Sequence, residues 1–257
     1  MTDASAKAID AFRLDGLHAV VTGASRGLGE GCALALAGAG AHVTVVGRTE
    51  VDLNAVAEKI VEGGGEAAVL VADVTDIEAF SSKLNAMPAI DIFVNNAGTN
   101  KPQPFLSVDA ETFDTLMDIN LRGAFFAAQA AARRMTDTGR GGSIINMSSQ
   151  AGHRALRDRT VYSASKFGLE GLTKAMAFEL AEHDIRVNAV APTFVETPLT
   201  RPMLENQAFR DYVEGKIRLP KLGQIEDVAA AVLYLAAPAS SMVTGTSLLV
   251  DGGWTIH

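Results

Sequence analysis

Tyr162 and Lys166 stand four residues apart in the stretch TVYSASKFG, 160–168. In water a phenol releases its proton near pH ~10 and an ammonium near ~10.4, so neither serves alone as an acid or base at neutral pH. On a helix, residues four apart share one face, a single turn from each other. A positive charge about 4 Å from the phenol, at an effective dielectric of about 20, is worth roughly 4 kcal/mol. At ~1.4 kcal/mol per unit, that brings the phenol down by up to about three units. The spacing therefore predicts a tyrosine able to trade protons near neutrality. The small residues around the pair, through Gly168 and Gly171, leave room for a ligand and a neighbouring helix. Taken alone, the pair also fits a half-exposed helix face, so the rest of the chain decides.

Such a pair needs a scaffold, and the 257 residues supply one pattern throughout. Short β-branched runs at 17–23, 41–47, 66–73, 90–98, 143–149, 185–192 and 247–253 read as strands. Between them lie helical stretches ending near 39, at 50–62, near 76–86, over 109–136, over 160–182 and at 225–237. An irregular stretch with short helices, 193–222, reads as a substrate lid. Strands apolar on both faces, each joined to the next by a helix, predict an α/β fold: one doubly wound parallel sheet with helices on both faces. No linker, repeat or low-complexity segment divides 1–257, so one domain is expected.

Apolar residues make up 48% and charged residues 20%, which suits a packed core. The net charge of −8 argues against nucleic acid or an anionic membrane as partner. The N-terminus lacks the apolar run of a secretory leader, and the apolar stretch 228–237 is half the ~20 residues of a membrane span. With Cys32 as the single cysteine no internal disulfide can form, and a cytoplasmic, reducing setting is expected. Histidines 18, 42, 153, 183 and 257 show no ligand spacing, so no metal site is expected.

The first strand runs into TGASRGLG, 22–29, with Gly23, Gly27 and Gly29 where the next helix opens. A pyrophosphate needs backbone amides at close range and a helix N-terminus aimed at it. The spacing departs from the usual G-x-G-x-x-G, and a tight strand-to-helix turn would look the same; position after the first strand favours a dinucleotide. At the end of the second strand, where an acid would hold a ribose hydroxyl, stand Gly47 and Arg48. Arg26 adds a second guanidinium. Two such groups suit a 2′-phosphate, so NADP is expected over NAD, with two solvated arginines as the bland alternative.

TGASRGLG, NNAG (95–98), Asn120 in MDINLRGAFF, NMSS ending at Ser149, YSASK (162–166) and VDGGW (250–254) together resemble the short-chain dehydrogenase/reductase family. Ser149 precedes Tyr162 by thirteen residues, as in that family. The resemblance spans nearly the whole chain. It implies a Rossmann-type sheet of seven strands, a nicotinamide cofactor, a homotetramer, and a catalytic tetrad of Asn120, Ser149, Tyr162 and Lys166. In that reading Tyr162 exchanges the proton, Ser149 polarises the carbonyl, and Asn120 links toward Lys166 through water. It also implies cofactor contacts at Gly23, Ser25, Arg26, Gly27, Leu28, Gly29, Arg48, Asp73, Val74, Asn95, Ala97, Gly98, Tyr162, Lys166, Val195 and Thr197. Some have a plainer alternative: Asp73 and Thr197 as helix caps, Asn95 as a brace for the sheet and, in the tetrad, Asn120 as a helix residue bonding its own backbone. Thr193 stands where the family often has glycine, which puts the pocket near the nicotinamide in question.

Between Ser149 and Tyr162 runs GHRALRDRT, 152–160, with His153 and Arg154 expected at the substrate and Arg157, Arg159 and Arg201 adding charge around it. Such a pocket favours a small polar polyol, sugar or sugar acid, as in the gluconate 5-dehydrogenase branch of the family. The expected activity is hydride transfer between NADP(H) and a secondary alcohol or ketone. A 3-oxoacyl-thioester reductase is the alternative, and a non-catalytic dinucleotide sensor a remote one.

Overall fold

Runs of β-branched residues too short for helices make the sheet. The strands β1 (His18–Thr22), β2 (His42–Gly47), β3 (Glu66–Val71), β4 (Ile92–Asn95), β5 (Gly142–Met147), β6 (Ile185–Pro192) and β7 (Ser247–Val250) pair in the order β3-β2-β1-β4-β5-β6-β7. Every pairing is parallel. The computed structural model describes residues 3–198 and 200–256, with side chains from residue 7 onward. All seven expected strands are present.

The helices are α1 (Asp3–Asp10), α2 (Gly27–Gly38), α3 (Glu50–Glu62), α4 (Ile77–Asn85), α5 (Ala110–Met117), α6 (Ala124–Thr138), α7 (Thr160–Leu180), α8 (Arg201–Leu204), α9 (Gln207–Lys216) and α10 (Ile225–Ala236). Local chemistry starts several of them. Asp76 and Asp109 accept from the third residue of α4 and α5, and Gln224 with Asp227 forms a capping box on α10.

Alternation along each strand divides the core. Val21, Val43, Val45 and Ile145 face one layer, with Cys32, Leu36, Leu53, Ile60, Val232 and Leu235 from α2, α3 and α10. Val20, Val46, Phe93 and Ile144 face the other, with Phe80, Leu84, Ala131, Met135 and Ala177 from α4, α6 and α7. At ~1.5–3 kcal/mol per buried aliphatic or Phe side chain, these two layers supply most of what holds the sheet. Burial pushes the Cys32 thiol up to about 12, which makes it an inert core residue.

One expected helix is broken. After α5 the backbone takes a π-helical turn over Asp118–Gly123 before α6 begins. Gly123 allows a close approach there: a Cβ would lie 3.0 Å from the Asp118 carbonyl and 3.1 Å from the Val74 carbonyl. A π turn inserts a residue and re-aims its side chains, which is how Asn120 comes to face inward. Over 193–222, α8 and α9 close a third cluster of Leu204, Val213, Ile217, Leu222 and Trp254, joined by Leu156 and Phe194. The order in which strands are added reverses between β1 and β4, and ligands bind in the crevice at such a switch point.

Candidate active site

β5 delivers its last residues to that crevice. Ser149 follows at 7% exposure; its hydroxyl donates to Gln150 Oε1 at 3.2 Å and accepts from the Ala151 amide at 3.1 Å. Tyr162 occupies the first turn of α7. One turn on, Lys166 is buried, donates to the Met147 carbonyl at 2.8 Å and lies over the Tyr162 ring, 5.6 Å from its centroid. Asn120 is 1% exposed. Its Oδ1 accepts from the Thr99 amide at 2.8 Å, and its Nδ2 donates to the Thr99 carbonyl at 2.8 Å and to Ser165 Oγ at 3.3 Å. It therefore fastens the loop after β4 to α7 and does not bond its own backbone. A Cβ on Gly98 would sit 3.2 Å from Asn120 Oδ1 and 3.9 Å from Lys166 Nζ, so the four residues share one small region.

The electrostatics correct one expectation. Tyr162 is not lowered by its lysine: burial holds the phenol above its ordinary value, against the opposing pull of the Ser149 hydrogen bond and the Arg159 charge. Lys166 is itself pushed down to about 8 by burial, while the Glu170 carboxylate works to raise it. An ammonium lying over the ring face and bonded to a carbonyl does not offset that burial at the phenol oxygen.

The residues at the glycine loop fit a dinucleotide. Gly23 and Gly27 both have φ of +62°, a region side chains avoid. The N-cap of α2 is Arg26, which makes no side-chain cap, so the first amides of α2 are left for a ligand. A Cβ on Gly27 would stand in ordinary contact with the Thr197 side chain, 3.7 Å away, so the segment after β6 lies against this turn. The Ala24 amide bonds the Val46 carbonyl at 3.1 Å, which carries the loop to the end of β2. Arg26 and Arg48 are both exposed there. Gly29 answers a different need: a Cβ would lie 2.2 Å from the Gly23 carbonyl and 2.6 Å from Asn96 Nδ2.

Comparison with known proteins identifies this arrangement. A family model described as Enoyl-(Acyl carrier protein) reductase matches residues 23–255. The chain is 42% identical to an L-xylulose reductase of Mesocricetus auratus, covering 95% of this chain and 98% of that one. It is 36% identical to a gluconate 5-dehydrogenase of Gluconobacter oxydans (strain 621H), covering 96% and 98%. A solved gluconate 5-dehydrogenase from Burkholderia cenocepacia J2315, in complex with NADP and tartrate, superposes with a TM-score of 0.93 at 35% identity, covering 97% and 99%. The chain belongs to the short-chain dehydrogenase/reductase family. It is an NAD(P)-dependent oxidoreductase acting on CH–OH groups.

Against that family pattern, several expected residues are turned elsewhere. Asn95 is 3% exposed; its Nδ2 donates to the Ala124 carbonyl at 2.8 Å and to Asn146 Oδ1 at 3.0 Å, so its side chain braces β4 against α6 and β5. Asp73 accepts from Thr75 N at 3.0 Å and Oγ1 at 2.8 Å. Burial opposes its ionisation, yet the Thr75 hydrogen bonds and Arg48 hold its carboxyl below the ordinary range. Val74, Val195 and Thr197 are buried, Ser25, Leu28 and Ala97 half-buried, and Gly98 exposed, all around the crevice. His153 faces away from the cofactor loop: its Nε2 meets Glu170 Oε1 at 3.1 Å and Ser247 Oγ at 3.0 Å. Arg154 is exposed to solvent. Thr193 Oγ1 is buried with no hydrogen-bond partner.

Two residues escaped the sequence reading, and a third, Arg159, enters it only as charge around the pocket. Asn96 donates to the Thr22 and Gly23 carbonyls at 2.9 and 3.1 Å and so clamps the glycine loop. Glu170 sits one turn beyond Lys166, at 8% exposure. Arg159, at 8% exposure, stands directly before α7. Among the described residues no cluster of His, Cys, Asp and Glu could hold a metal.

Proposed function

We propose that the protein is an NADP(H)-preferring oxidoreductase that interconverts a secondary alcohol and its ketone on a small polyol, sugar or sugar acid. The observation that carries this is the meeting of Ser149, Tyr162, Lys166 and Asn120 at the exit of β5, beside the uncapped start of α2. NADP, when bound, supplies or receives the hydride. In this reading Tyr162 passes the proton to or from the substrate oxygen, and the Ser149 hydroxyl stabilises charge on that oxygen. Lys166 keeps a positive charge behind the phenol, and Asn120 holds the Thr99 loop and α7 in register. Gly23, Gly27 and the α2 amides take the pyrophosphate, with Arg26 and Arg48 on the 2′-phosphate and Asp73, Val74, Ala97, Gly98, Val195 and Thr197 around the rest.

A carrier-protein thioester reductase is the second reading, because the matching family model carries that description. The net charge of −8 disfavours docking of an acidic carrier. Spectrophotometric NADP(H) turnover across alditols, ketoses, aldonates and a 3-oxoacyl thioester separates the two; activity confined to the thioester overturns the first.

Phe113, Phe125 and Phe167 leave aromatic surface exposed on α5, α6 and α7, which supports assembly of like chains, and we place the protein as a homotetramer. Sedimentation at monomer mass would refute it. No helix among the described residues is long and apolar enough to cross a membrane; the acidic charge and single core thiol support a cytoplasmic setting.

A further inference from the structure

A guanidinium is seldom buried without an acid beside it. Arg159 is 8% exposed, yet its hydrogen bonds are a 3.2 Å contact to the Asp158 carbonyl and a 3.8 Å contact to Met203 Sδ. The Asp158 carboxylate lies 3.9 Å from Arg157, whose side chain is 92% exposed, and reaches Arg159 by its charge without a hydrogen bond. With five N–H donors in a planar fork, most of the recognition capacity of Arg159 is unspent.

The surroundings fix where that fork sits. Asp158 holds φ at +57°, which non-glycine residues seldom adopt. Its carbonyl accepts from the Gln103 amide at 2.9 Å, and Gln103 and Arg159 form a β-bridge. The turn before α7 is thus pinned to the loop after β4. From it Arg159 reaches Met203 on α8 of the lid, and its charge is felt at the Tyr162 phenol. It stands between Tyr162 and the segment that carries α8. Arg154 and Arg201 are exposed and lack this placement.

We propose that Arg159 binds a carboxylate of the substrate, so that the protein takes a hydroxy or keto sugar acid in preference to a neutral polyol. This rests on the oxidoreductase reading above and narrows its substrate class. A buried fork paired with a carboxylate is the strong, bidentate form of this contact. A hydroxyl offers no charge to compensate the buried cation.

The test compares D-gluconate with D-glucitol, an acid and an alcohol of equal chain length, using NADP⁺. Wild type is expected to favour the acid in kcat/KM by tenfold or more. In Arg159→Met, a substitution of similar length, the acid-to-alditol ratio of kcat/KM falls by about thirty-fold or more, chiefly through KM for the acid. Arg159→Lys recovers part of that ratio. The ratio cancels any change at Tyr162, which affects both substrates alike. A ratio that stays within threefold of wild type overturns the proposal, whether both rates fall or neither does. Should Arg159→Met not fold, the wild-type ratio still decides: a value below one overturns it. Wild type that turns over no alcohol with NADP⁺ removes the oxidoreductase reading and this inference with it; an active enzyme with an unmoved ratio removes this inference alone.

Discussion

Lys166 donates to the Met147 carbonyl at 2.8 Å, which ties α7 to the last residue of β5. Its ammonium is thereby held at the crevice floor, over the Tyr162 ring. Replacing Tyr162 by Phe keeps that contact and removes only the exchangeable proton. Turnover in Tyr162→Phe is expected to fall by about 10³-fold or more, while NADP⁺ affinity, read by fluorescence titration, stays within a few-fold. Wild-type turnover in the variant removes Tyr162 from the mechanism.

The pH behaviour follows from Lys166 and Glu170. Burial brings Lys166 to about 8, and the Glu170 charge opposes that fall. The charged form is lost as pH rises through the folded value. Removing the carboxylate in Glu170→Gln lowers Lys166 further, so the alkaline limb of kcat/KM moves to lower pH. A limb that moves upward, or stays, breaks the link between them.

Stability has the matching sign. Lys166 has a folded value near 8 against 10.5 in its ordinary state, so the unfolded chain binds its proton more tightly. Burying it costs stability below about pH 8, and that cost fades as pH climbs toward 10.5. Any thermal-midpoint advantage of Lys166→Met over wild type is therefore largest at pH 7 and shrinks toward pH 10. Growth of the difference with pH would contradict the argument.

In the proposed function, coenzyme choice rests on two exposed guanidiniums. The Arg48–Asp73 contact is 3.9 Å long and the Arg48 side chain 75% exposed, too weak a pairing to keep Arg48 from a phosphate. The Arg26→Ala/Arg48→Ala double variant is expected to lose tenfold or more in NADPH-over-NADH preference, measured as the ratio of kcat/KM values. Equal use of both coenzymes by wild type defeats this reading.

Gly29 is a packing residue by geometry. A methyl group there would overlap the Gly23 carbonyl at 2.2 Å, and backbone cannot step aside cheaply. Gly29→Ala is expected to cost about 2–4 kcal/mol in denaturant unfolding, beyond the range of ordinary surface changes. A change under ~0.5 kcal/mol would mean the loop yields freely.

The strands and most helices were legible because apolar periodicity is local, and the Tyr162/Lys166 pair because one helical turn is local too. What lay hidden depends on distant partners. The sequence names two asparagines, 95 and 96, but only the strand's alternation in three dimensions sends the first inward to Asn146 and the second to the glycine loop. His153 reads as a pocket residue until Ser247, far along the chain, supplies its partner. Three arginines precede Tyr162 with nothing in the letters to rank them; the left-handed Asp158 turn singles out Arg159. The phenol's direction was missed for a related reason. A pairwise charge estimate omits the desolvation that both partners undergo.

The wide turn at Asp118–Gly123 sets a phase relation that a plain α-helix lacks. Each α-helical residue advances about 100° around the axis, so one surplus residue swivels everything after it by that angle. Upstream of the surplus, α5 keeps Leu116 inward; downstream, the alanines of α6 meet the sheet. Excising a single residue here would leave a smoother helix able to satisfy one of those two alignments and not the other. The chain carries Asn120, which fastens the Thr99 loop to α7, in the very place where the helix changes step.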